Sequence, residues 1–157
     1  MKINKILTIL TLFLLLSCGF EPMYSKKRLD NKYDFTIANI GFSGNNNINL
    51  YLKNNLVNYV NNEDKEIKYD LIINSSIIKT ITSKNKKGNP EIFYTNIQIN
   101  VDIIENDKIK NKTIFEEFFE YKNKSSKFKL NEYEKNIQKN LINKLSKDLI
   151  EYLYYVK

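Results

Sequence analysis

Ile97-Gln98-Ile99-Asn100-Val101-Asp102-Ile103 alternates apolar and polar side chains without a break. Successive side chains of an extended backbone point to opposite faces, so this period of two predicts a strand with one face buried and one facing water. The pattern continues upstream. Ser83 to Pro90, with Gly88 and three lysines, predicts a hairpin loop, and before it Tyr69, Leu71, Ile73, Ile77 and Ile81 share odd positions of a long strand over 67–83. Downstream, Glu105-Asn106-Asp107-Lys108 predicts a turn into a further strand over 109–122, with Phe115, Phe119 and Tyr121 on one face and Ile114 and Phe118 on the other. Three consecutive strands joined by short turns form an antiparallel meander.

The period changes on either side of the meander. Ile48, Tyr51, Leu52, Leu56, Tyr59 and Val60 recur at helical spacing, predicting a helix of about 15 residues that closes near Asn61-Asn62. Asn131 followed by Glu134 resembles a capping box, after which Tyr133, Ile137, Leu141, Leu145, Leu149, Tyr152, Leu153 and Val156 mark a second helix to the end of the chain. Ahead of the first helix, Tyr33, Phe35 and Ile37 alternate with polar residues and the phase then shifts to Ala38, Ile40 and Phe42. A strand bulged near Ala38 is expected there, with a turn over Gly41 to Asn47. The fold class is therefore α+β, a two-layer sandwich of order β-α-β-β-β-α, with two helices on one face of a four-stranded, mostly antiparallel sheet. The sheet's other face stays open, and Ile72, Ile78, Ile114 and Phe118 are expected on it as an apolar patch for a partner.

At the N-terminus, Lys2 and Lys5 precede an apolar run over 6–16. At 1.5 Å per residue that run is too short for a hydrocarbon core about 30 Å thick, which is secretory-signal architecture. Leu15-Leu16-Ser17-Cys18 resembles a bacterial lipobox, whose cysteine thiol takes a diacylglycerol and becomes the first residue after cleavage. Cys18 is the one cysteine of the chain. A plain secretory signal and a single-pass anchor are the other readings of the run. Domain bounds follow: a signal peptide over 1–17, a lipidated extended leader over 18–32 that holds Pro22, and a single α/β domain over 33–157.

The chain carries 25 Lys plus Arg against 18 Asp plus Glu, a net charge of +7, and loss of Lys2 and Lys5 with the signal lowers it to +5. Such an excess suits anionic lipid, lipopolysaccharide or nucleic acid, although Asn, Lys, Ile, Tyr and Phe also share AU-rich codons. Export argues against a nucleic-acid partner. With no histidine and the cysteine acylated, imidazole acid-base work, thiol catalysis and the usual zinc sets are excluded. Glu116 and Glu117 face opposite ways on a strand, and Glu120 adds no metal-like spacing. No catalytic residue, metal or cofactor is expected.

Cys18-Gly19-Phe20-Glu21-Pro22-Met23-Tyr24 resembles the Cys-Gly-Phe-x-Pro-Leu-Tyr start of mature lipopolysaccharide-assembly lipoproteins, the LptE family, with methionine in place of the usual leucine. The order of strands and helices is similar to that family's fold. The resemblance implies a lipoprotein at the periplasmic face of the outer membrane that plugs the β-barrel translocon LptD, helps it assemble and contacts lipopolysaccharide, without catalysis. Lysines of two loops are the candidates for the lipid: Lys84, Lys86 and Lys87 in the hairpin, and Lys122, Lys124 and Lys127 before the last helix. The same signal, anchor and domain would also serve a membrane-anchored adaptor of another envelope transport or secretion machine.

Overall fold

A computed structural model describes residues 33–156. The signal segment, the lipobox Leu15, Leu16 and Ser17, Cys18 and the leader over 18–32 lie outside the described residues.

The described residues form β1 (Phe35–Gly44), α1 (Asn46–Leu56) continued by a 3-10 turn (Val57–Tyr59), β2 (Ile67–Lys84), β3 (Pro90–Glu105), β4 (Lys108–Lys122) and α2 (Lys127–Tyr155). The sheet order is β1-β2-β3-β4. β1 runs parallel to β2, and the other two pairings are antiparallel. The expected class and order of elements are thus present, with the helices in one layer against one sheet face.

The odd-numbered residues of β2 and β3 build the core. Tyr69, Ile73, Ile97, Ile99, Val101 and Ile103 are completely buried beneath Leu52 and Leu56 of α1 and Leu145, Leu149 and Leu153 of α2. The bulge in β1 falls where the phase shift placed it, because the register with β2 slips between Ile37 and Asn39. The bulge lets Ile37 and then Ile40 face inward on either side of it, and Ile37 is fully buried.

Three expected boundaries are corrected. β1 continues through Gly41 to Gly44, where a φ of +87° turns the chain out of the sheet. The turn over Gly41 to Asn47 therefore shrinks to Gly44-Asn45. Asn45 then caps α1, its side chain accepting from the backbone N–H groups of Asn47 and Ile48 at 3.1 and 3.2 Å. The regular helix spans 11 residues, short of the expected 15, and tightens into the 3-10 turn. Asparagine-rich helices have little intrinsic stability, so α1 persists only while Ile48, Leu52 and Leu56 find a core to pack against. Finally, α2 starts at Lys127 and not at Asn131. No capping box forms at Asn131, which lies inside the helix that Ser126 precedes, and the Glu134 carboxylate is engaged by Lys79 and by the Tyr121 hydroxyl.

One asymmetry shapes the molecule. β2 has 18 residues and β1 only 10, and their pairing ends at Gly44 opposite Ser75. From that row α1 doubles back toward the start of β1, where Thr36 Oγ1 donates to the carbonyl of Tyr59 at 3.1 Å and Asn61 N–H donates to that of Ile37 at 3.0 Å. α1 thus lies over the first half of β2, and α2 reaches the second half through the ion pair of Lys79 with Glu134.

Candidate functional site

The open face of the sheet carries the even-numbered residues of β2, β3 and β4. Ile72, Ile78, Ile114 and Phe118 all lie on it, 51, 57, 62 and 62 % exposed. Sequence parity therefore placed all four correctly. They do not form one continuous apolar patch, however. Asn96 of β3 sits between Ile78 and Phe118, Asn100 pairs with Ile114, and Asp102 pairs with Ile72. A polar row down β3 separates two apolar flanks. Asn96 donates to Glu116 at 2.6 Å, Gln98 to Asn100 at 3.0 Å and Lys112 to Asp102 at 2.8 Å, while Phe118 stacks on Tyr94 with ring centroids 5.6 Å apart. The Asn96 Oδ1 is buried and accepts no hydrogen bond among the described residues. An unpartnered buried acceptor costs free energy until a donor reaches it.

The two lysine loops, widely separated in sequence, meet at one end of the sheet. In the hairpin, the Asn85 side chain accepts from the N–H groups of Lys87 and Asn89 at 2.9 and 3.0 Å, and Gly88 takes a φ of +81°. Asn123 ties the second loop to the first. Its backbone N–H donates to the carbonyl of Glu91 and its side chain to that of Pro90, both at 2.8 Å. Lys84, Lys86, Lys87, Lys122, Lys124 and Lys127 are all exposed at this end, with Glu91 among them. The Lys124 ammonium lies 4.4 Å from the centre of the Tyr133 ring, which limits where that charge can go. Asn123 carries no sequence signal of this role. Its function as a clasp depends on the strand order, which brings β4 beside β3.

Beneath this end, on the helix side, a connected network stiffens the support. Lys79 Nζ lies 2.6 Å from Glu134 Oε1 and 4.4 Å from the centre of the Phe93 ring. Tyr121 donates to the same carboxylate oxygen at 2.9 Å, its hydroxyl is 3.2 Å from Thr95 Oγ1, and its ring stacks on Phe93. Burial above all pushes the Tyr121 hydroxyl up to about 12; the hydrogen bond with Thr95, next in size, lowers it, and the hydrogen bond and negative charge of Glu134 raise it further. A raised folded-state value means that the folded protein holds this proton more tightly than the unfolded chain does. The stabilisation is complete below about pH 10 and is lost as pH rises from there through about 12. Tyr121→Phe should flatten that part of a stability-pH curve measured by urea unfolding. An unchanged slope would mean that the alkaline loss arises elsewhere.

Among the described residues no group of three or more His, Cys, Asp and Glu side chains could hold a metal ion, and no helix is long and apolar enough to cross a membrane.

No family model matches the chain, and no curated protein matches it by sequence. Solved structures do match by fold. The crystal structure of the rare lipoprotein B from Shewanella oneidensis superimposes with a TM-score of 0.57 at 11 % identity, over 73 % of this chain and 92 % of that one. A minor lipoprotein from Acinetobacter baumannii gives 0.56 at 13 % identity, over 76 % and 90 %. The solution structure of an uncharacterized lipoprotein B from Nitrosomonas europaea gives 0.57 at 11 %, over 78 % and 84 %. Nearly the whole of each of these lipoprotein domains thus has its counterpart in the fold of this chain.

Proposed function

We propose that this protein is an outer-membrane lipoprotein of the lipopolysaccharide-assembly type, anchored through Cys18 at the periplasmic face. In that role it would plug and help assemble a large LptD-like β-barrel and contact lipopolysaccharide on its way outward. The observation that carries the proposal is a coincidence of two independent signals. The Cys18 to Tyr24 start resembles one lipoprotein family, and the folded domain matches solved structures named as lipoproteins B.

The surfaces suit the role. A barrel lumen is lined by polar side chains and water, so a plug needs hydrogen-bonding groups interleaved with modest apolar area. The open face has that composition, with its carboxamide row between Ile72 and Ile78 on one side and Ile114 and Phe118 on the other. At the end of the sheet, two loops clasped by Asn123 expose six lysines whose ammonium groups can pair with lipid phosphates.

Purification of the native protein from detergent-solubilised envelopes tests the proposal. A large outer-membrane barrel should accompany it, whereas an inner-membrane transporter or a secretin in its place would overturn the plug reading and favour an adaptor. Charge reversal at Lys84, Lys86 and Lys87 together should weaken binding of purified lipopolysaccharide by at least about tenfold. Each exposed pair contributes up to about 1 kcal/mol, and reversal turns attraction into repulsion. Undiminished binding by a variant with an unchanged circular dichroism spectrum would remove the hairpin from the lipid site.

A further inference from the structure

We propose that residues 76–84 of β2 form an acceptor edge for an extended, acid-bearing strand of another protein. The inference goes beyond the barrel reading and does not depend on it.

Beyond Ser75, β2 has no neighbour on its β1 side among the described residues, although it continues to pair with β3, in unbroken register to Ile81 and with shifts from there to Lys84. The orientation of the vacated edge is fixed by the last bond made there, from Asn45 N–H to the Ser75 carbonyl at 3.0 Å. Backbone groups alternate sides along a strand, so Ile77, Lys79 and Ile81 also aim N–H and C=O toward the gap. The stretch Ile77-Ile78-Lys79-Thr80-Ile81-Thr82 is dominated by β-branched residues and contains no proline to blunt it. α1 turns away at this row, so Ile81 is 46 % exposed on the helix side and Ile78 57 % on the other. An added strand would therefore gain backbone hydrogen bonds together with apolar contacts on both faces.

Charge selects the occupant. Lys79 within the edge is already paired with Glu134, so the free charge lies at its end, on Lys84, Lys86 and Lys87. A second copy pairing through the same residues would bring no unpaired acid to those lysines. The leader over 20–32 is also basic, with Lys26, Lys27, Arg28 and Lys32 against Glu21 and Asp30. A segment from another protein that alternates apolar and acidic side chains meets this requirement.

The test uses the full lipidated chain in detergent micelles and a nine-residue synthetic peptide alternating valine and glutamate. Saturable binding is expected, with hydrogen exchange at the amides of Ile77, Lys79 and Ile81 slowed by at least about tenfold as they gain partners. The same peptide N-methylated at alternate nitrogens, and a valine-lysine peptide, should produce neither effect. Ile81→Pro, which removes an outward donor while sparing the bonds to β3, should weaken the binding. Three results would each overturn the proposal. These are absence of protection, equal binding of the N-methylated peptide through charge alone, or protection of those amides before any peptide is added, which would mean that the leader or a second copy already occupies the edge.

Discussion

Gly44→Ala is expected to destabilise the domain by about 3 kcal/mol or more, since a left-handed conformation alone costs a non-glycine residue about 1–2 kcal/mol and a steric conflict adds to it. Gly44 has a φ of +87°, and a Cβ built on it would sit 2.0 Å from the Ser75 carbonyl oxygen, a backbone atom that cannot swing aside. Moving Ser75 would disturb everything gathered there. Asn45 N–H donates to both the carbonyl and the hydroxyl of Ser75, and the Ser75 hydroxyl bonds Asn49 Oδ1 at 2.6 Å. One residue thus ends β1, starts α1 and fixes the last row of the parallel pairing. Gly41→Ala is the matched control, because its added methyl would meet only the Leu71 carbonyl at 3.9 Å, an ordinary contact. It should change stability by no more than about 0.5 kcal/mol. Equal denaturation midpoints for the two variants would refute this account of how β1 ends.

The second large effect is expected at Leu52, where alanine should cost about 3 kcal/mol, within the range of about 2–5 kcal/mol for leucine truncation in a rigid core. Leu52 is fully buried at the centre of α1, between Ile48 and Leu56. The helix has five asparagines over residues 46–55, no acidic residue in its first turn, and only 11 residues in which to recover the cost of nucleation. Its tie to α2 is made by Asn55, which donates to Asn143 and Ser146 at 3.0 Å. Packing therefore decides whether α1 forms, and Leu52→Ala should also speed hydrogen exchange across the whole helix. Tyr51→Ala, one position along on the exposed side, should cost less than about 1 kcal/mol. A Leu52 variant no less stable than the Tyr51 variant would show that α1 is dispensable.

The sheet was largely legible in the sequence because a period of two needs no tertiary information. Ile97 to Ile103 specified β3, and the phase shift near Ala38 located the bulge. The start of α2 was less legible, because two possible starts lie close together. Asn131 and Glu134 have the spacing of a capping box, yet the helix begins at Lys127 after Ser126, and Lys79 and Tyr121 take the carboxylate. The candidate surfaces show the same division. Parity alone put Ile72, Ile78, Ile114 and Phe118 on one face, but whether they touch depends on what β3 places between them. The meeting of the two lysine loops depends on the strand order and on Asn123, and neither has a local signature.

The carboxamide row of β3 has a consequence for how the protein behaves at high concentration. Two copies laid face to face would have to seal Asn96, Gln98 and Asn100 from water while matching donors to acceptors across a twisted surface. Split by that polar row, the exposed isoleucines and Phe118 do not merge into one continuous apolar face. The chain can therefore display several large apolar side chains to a partner and still resist stacking on itself.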